Sequence, residues 1–299
     1  MIVKAVREKE EETRMVNMTN LSNQGANLRW EVPQRQLKHN SIIKSSDDSL
    51  KFLIKAVFDL LPTPANKNRW FDTAEKCLLC NEEGTLNHIL SGCKVALSQG
   101  RYKWRHDKVL KQIASYIDEK LVENANKAEA RKGMIQFVRE VERRNKHLVE
   151  DCISYGYLSS AKDWRMTLDL DTSLKIPAEI CVTSLRPDLM VISKSSRQIV
   201  IVELTVPNED RIEVSGEIKR TKCERIASEG RLNGWSVRIW AVEVGCRGFP
   251  AVSLSSFMKD IGYQGSHKKK AIERISQVAE QASHSLWKAS HYRQWGGKE

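Results

Sequence analysis

The spacing of apolar residues changes twice along this chain. After Ser46 to Asp48, the residues Leu50, Leu53, Ile54, Val57, Phe58 and Leu61 recur at helical spacing, predicting an amphipathic helix that Pro62 and Pro64 stop. The same period returns in "RYKWRHDKVLKQIASYIDEKLVE" (101–123), where Trp104, Val109, Leu110, Ile113, Ile117 and Leu121 make one stripe, and again over about 126–149. Beyond residue 163 short β-rich runs take over, at 164–168, 179–183, 188–193, 199–206 and 235–244, with a helical stretch at about 209–230 between the last two. Helices near 252–261 and 267–291 follow. Strands around an intervening helix predict an α/β domain, a mixed sheet flanked by helices. Residues 1–46 are polar and irregular, with Trp30 and Val32 as anchors, so weak order is expected there.

Composition adds a partner to this picture. The chain has 299 residues, 40% of them hydrophobic, enough for a core shared among two or three units. Lys and Arg total 49 against 38 Asp and Glu, a formal charge of +11, which favours a polyanion such as nucleic acid. The first residues lack the apolar segment of a signal peptide and no window matches a membrane span, so an intracellular protein is expected. Seven cysteines, an odd number with three of them clustered, fit metal binding better than a disulfide framework.

The cluster is "CLLCNEEGTLNHILSGC", in which Cys77, Cys80, His88 and Cys93 are spaced C-x2-C-x7-H-x4-C. Three thiolates and an imidazole complete a tetrahedral zinc site with no open position, so the expected role is structural. The basic stretch that follows offers Arg101, Lys103, Arg105, His106 and Lys108 to phosphates, with Tyr102 and Trp104 available for stacking.

A second constellation lies in the strands. Glu203 interrupts the apolar run Ile199 to Val206, where an unpaired charge is costly, and Asp188 stands 15 positions earlier at the head of the preceding run. A hairpin turning at Ser193 to Arg197 brings both acids to one end, and Lys219 and Lys222 share a face of the next helix. Two carboxylates suit a hard divalent ion, Mg²⁺ or Mn²⁺, that binds phosphate and activates water, while a lysine stabilises the developing charge. The alternative is a solvent-facing Glu203 and a simple turn acid at 188. A third carboxylate stays open among Glu179, Glu209, Asp210 and Glu217.

Taken in order, "LPTPANKNRW", the CCHC cluster, "RYKWRHDKVLKQI", "RPD", "VELTV" and "KRTK" resemble the C-terminal part of reverse transcriptases from site-specific non-LTR retrotransposons. The resemblance covers about residues 50 to 262. It implies a zinc knuckle followed by a restriction-like endonuclease of the PD-(D/E)xK superfamily, with Asp188 and Glu203 as metal-binding acids. The superfamily's usual lysine position, two after the second acid, holds Thr205, and the retroelement branch points instead to Lys219 with Lys222 beside it. The expected division is a weakly ordered 1–46, a helical segment 47–76 that the resemblance makes thumb-like, a knuckle with its basic helix 77–125, a domain 126–262 that the resemblance makes an endonuclease, and a C-terminal helix 263–299. Nothing in the chain looks like a polymerase palm. The expected function is a nuclear, metal-dependent DNA endonuclease, with DNA and element RNA as partners and no membrane. The alternative is a nucleic-acid-binding zinc-knuckle protein with an inactive nuclease fold.

Overall fold

The computed structural model describes residues 2–21, 24–31, 35, 39–133, 156–170 and 174–296. The N-terminal part is helical: α1 (Ile2–Thr19), α2 (His39–Lys44), α3 (Asp47–Val57), α4 (Pro64–Phe71), α5 (Lys94–Ser98) and α6 (Arg101–Gly133). Strands β1 (Arg165–Leu168), β2 (Leu189–Ser193) and β3 (Gln198–Thr205) follow, then α7 (Ile212–Leu232), β4 (Ser236–Glu243), α8 (Val252–Asp260) and α9 (Gly265–Ala289).

Local chemistry sets several of these boundaries. The Ser46 hydroxyl caps α3 by accepting from the Ser49 amide, and Thr63 caps α4 with Pro64 in the first turn, where its missing N–H costs nothing. Asp59, with φ near 50°, ends α3 before the predicted limit at Leu61, and Leu61 itself is buried in the cluster beneath.

The four strands form one sheet in the order β1-β2-β3-β4, antiparallel except for the parallel β3/β4 pair that α7 connects. On one face Val200, Val202 and Leu204 of β3 meet Val109, Leu110 and Ile113 of α6, Phe257 of α8 and Ile275 of α9. On the other, Ile199 and Ile201 meet Cys223, Ile226 and Ala227 of α7. Helices on both faces explain why β3 reads as a continuous apolar run instead of an alternating one. A third cluster joins α3, the knuckle, the turn after β4 and α9 through Phe52, Leu86, Leu90, Cys246 and Trp287.

Three expectations change. Residues 179–183 are a turn and coil, with Ile180 N–H donating to the Pro177 carbonyl at 2.9 Å. Their apolar side chains, Ile180 and Cys181, are buried against the α7 face without joining the sheet. Helix α6 runs unbroken past residue 126, and the remainder of the helix expected to 149 lies outside the described residues. Within 1–46, α1 is a helix with no buried residue, whereas Trp30 is anchored edge-on to Phe249 at 5.1 Å; Val32 lies outside the described residues. Among the described residues no helix is long and apolar enough to cross a membrane.

Candidate functional site

The ligand atoms of Cys77, Cys80, His88 and Cys93 all lie within 4.8 Å of one another. Zinc–sulfur bonds of about 2.3 Å in a tetrahedron leave ligand atoms about 3.8 Å apart, so the set fits one zinc ion. A tight turn makes the first pair: Asn81, with φ near 66°, donates to the Cys77 carbonyl at 2.9 Å, and Cys77 N–H donates to Glu82 at 2.7 Å. His88 Nε2 lies 3.1 Å from Cys80 Sγ while Nδ1 faces Glu82 at 3.9 Å, the carboxylate–imidazole order that orients a ligating histidine. Burial pushes the Cys80 thiol up to about 11 and holds His88 below its ordinary value, so a bound cation is what favours the thiolate. Tyr102 of α6 ties the unit down, its hydroxyl donating toward the His88 and Ile89 carbonyls and accepting from Cys93 N–H at 3.0 Å.

The second site sits where β2 begins. Leu189 pairs with Val202 across the β2/β3 hairpin, so continuing that register by one residue sets Asp188 opposite Glu203. Cross-strand side chains are roughly 5 Å apart, and two carboxylates there destabilise the sheet unless a cation joins them. Lys219 of α7 is that cation: Nζ donates to Asp188 Oδ2 at 3.0 Å and also to Glu203 Oε2. Lys222, one turn on, lies 3.5 Å from Glu203 Oε1, and the Cys223 thiol donates to the same oxygen at 3.4 Å. Glu203 is 1% exposed, which excludes the solvent-facing alternative.

Asp188 is held from two more directions. The Leu204 amide donates to Oδ2 at 2.8 Å, and His106 Nε2 approaches the same oxygen at 3.4 Å while its Nδ1 meets Asp107 at 3.1 Å. Burial opposes charge on both partners, yet Asp107 and Asp188 outweigh it and raise His106 to about 9, and His106 with Lys219 holds Asp188 well below the usual carboxylate range. Lys219 is raised likewise, the two carboxylates overcoming burial.

The structure sets Asp188 and Glu203 at one end of the hairpin with Lys219 and Lys222 of α7 against them, and adds His106, which the sequence reading assigns to phosphate contact. Arg101 and Arg105 leave that assignment altogether. Both are 2% exposed: Arg101 donates to the Ala289 and Tyr292 carbonyls, and Arg105 to the Leu90 and Val206 carbonyls and to Ser283. They fasten α6 to α9, the knuckle and the end of β3. Lys103 stays exposed, and Lys108 is half-buried with its ammonium 5.5 Å from the centre of the Trp104 ring.

The sequence held a signal for this. Arg101, Arg105 and Val109 are four apart, so the arginines lie on the buried stripe of α6. Of the open third-carboxylate candidates, Glu179 is 3.3 Å from Lys194 and Glu209 pairs with Arg247, both away from the pair. Asp169, which that reading did not name, follows β1 beside Asp188, its amide donating to the Asp188 carbonyl at 2.9 Å and its carboxylate clamping Arg186. Only the sheet order brings it there. No protein-family model matches the chain, and no curated protein sequence is similar enough to match it.

Proposed function

We propose that this chain is a metal-dependent DNA endonuclease of retroelement type with a restriction-like fold. The observation that carries the reading is that one ammonium nitrogen touches an oxygen of both Asp188 and Glu203, so a single cation can bridge the two acids. Two carboxylate oxygens suit hard Mg²⁺ or Mn²⁺, and the four-ligand cysteine–histidine cluster suits structural zinc. The ordered set of motifs from "LPTPANKNRW" to "KRTK" supports the retroelement assignment.

Asp188 and Glu203 would hold the divalent ion, which would supply Lewis acidity and lower the pKa of a coordinated water. The Leu204 amide and His106 fix the Asp188 carboxylate so that one oxygen keeps its direction. Lys219 and Lys222 place positive charge beside the acids, where a pentacoordinate phosphorus would gather negative charge. Exposed Lys103 on α6 and Arg220 on α7 extend that charge as contacts for the DNA backbone, and element RNA is a second polyanion for the same surface. Nuclear location follows from a chromosomal target.

Hydrolysis of this kind leaves a 3′ hydroxyl and a 5′ phosphate. The test is extension of the nicked product by a DNA polymerase without prior end repair. Direct extension is expected; absence of cleavage, or a 3′ phosphate that blocks extension, contradicts the proposal.

A further inference from the structure

Lys219 does more in this structure than stand near an acid, since its Nζ occupies the point shared by Asp188 Oδ2 and Glu203 Oε2. Resting on the nuclease reading, we propose that Lys219 is a displaceable counter-ion: in the resting chain its ammonium fills the divalent-ion position, and loading the site moves it outward.

Charge and burial lead there together. Glu203 is 1% exposed on the central strand, so without metal it needs a cation of the protein's own. Lys219 and Lys222, with the His106–Asp107 pair beside Asp188, already balance the two carboxylates. A divalent ion between the acids would meet Nζ at contact distance with like charge, so Lys219 has to withdraw. Its side chain is able to, being 21% exposed on a four-carbon stem, whereas Lys222 contacts the other oxygen of Glu203 and can stay. The Leu204 amide holds Asp188 independently of Lys219, so the acid keeps its place as the lysine leaves. Once released, Nζ is free to pair with a phosphate oxygen. Ion loading and readiness of the lysine are thereby one event, and the chain gives up some metal affinity to obtain it.

The direct test is Mn²⁺ titration of the zinc-loaded full chain, reading free Mn²⁺ by electron paramagnetic resonance. Lys219→Met should bind Mn²⁺ at least tenfold more tightly than wild type while losing nicking, Lys219→Arg should bind as wild type, and Asp188→Asn should lose the site. Equal or weaker binding by a Lys219→Met chain that keeps its zinc and helical content overturns the proposal. Should that variant not fold, acetylation of Lys219 in the wild-type chain, followed by mass spectrometry, gives the same answer. The rate should rise when Mn²⁺ is added, and an unchanged rate at saturating Mn²⁺ overturns the proposal. Absence of any Asp188-dependent Mn²⁺ binding in all variants overturns the nuclease reading itself.

Discussion

Arg247 is 4% exposed and is surrounded by acceptors: Glu209, Asn208 at 2.6 Å, the Ala56 carbonyl at 3.0 Å and Asn87 at 2.8 Å, with its guanidinium over the Trp30 ring. Removing one member of a buried pair strands the other, so Arg247→Ala should cost about 3–5 kcal/mol in urea unfolding. A loss below about 1 kcal/mol contradicts the burial of this network. Glu243 tests the opposite sign. Burial raises its carboxyl above the ordinary range although the Ser253 hydroxyl donates to it, and Oε1 has no hydrogen-bond partner. A raised folded pKa means this group's contribution is fully present below the unfolded value and is lost as pH rises through the folded one. Glu243→Gln should therefore stabilise the chain near pH 7, with the gain fading toward pH 5 in parallel urea titrations. A gain independent of pH contradicts this. Glu203 shows what the sequence could tell at this scale: an acid inside an apolar run signals a site, but not which cation answers it. That answer depends on Lys219 and Lys222, brought in from a helix 16 and 19 positions after the acid.

Among elements, the knuckle's cysteine side has little packing of its own, its Leu86, Ile89 and Leu90 turning instead to the third cluster. Its local cluster consists of Cys77, Cys93 and Ala96, with Leu79, Val95 and Tyr102 against it, too little apolar area to hold a turn together without metal. One zinc per chain is expected by elemental analysis, and Cys77→Ser should abolish it; an unchanged zinc content shows the four-ligand assignment to be wrong. Helix α6 carries the consequence, because Tyr102 and Arg105 connect it to the knuckle while His106 touches Asp188. Loss of zinc should thus weaken the acid site as well. The helices and the β2/β3 hairpin were legible because their periods are clean and the Lys194–Arg197 turn is polar. The 179–183 segment was misread because β-branched residues after Pro177 look the same whether they pair with a strand or cover the end of a helix. The arginines were misread because a basic residue on a buried helix stripe differs from an exposed one only in what the rest of the chain brings to it.

At the scale of the whole molecule, α9 unites the parts. Ile275 and Ala279 complete the main core, Trp287 closes the cluster over the knuckle side, and its C-terminal carbonyls take up Arg101. The C-terminal helix is thus integral to the fold. The net charge of +11 adds a solution property to this shape. If several phosphates are contacted, raising salt from about 50 to about 200 mM should weaken DNA binding on the order of tenfold or more. Flat binding across that range removes the electrostatic account. The central claim is that Asp188 and Glu203 form a hydrolytic metal site, and nicking of supercoiled plasmid addresses it most directly, with wild type, Asp188→Ala and a chelator control run together. The account predicts relaxed circles that require Mg²⁺ or Mn²⁺ and vanish in the variant. Identical traces for wild type and Asp188→Ala, with DNA binding retained, contradict it and leave a nucleic-acid-binding protein with a silent nuclease fold.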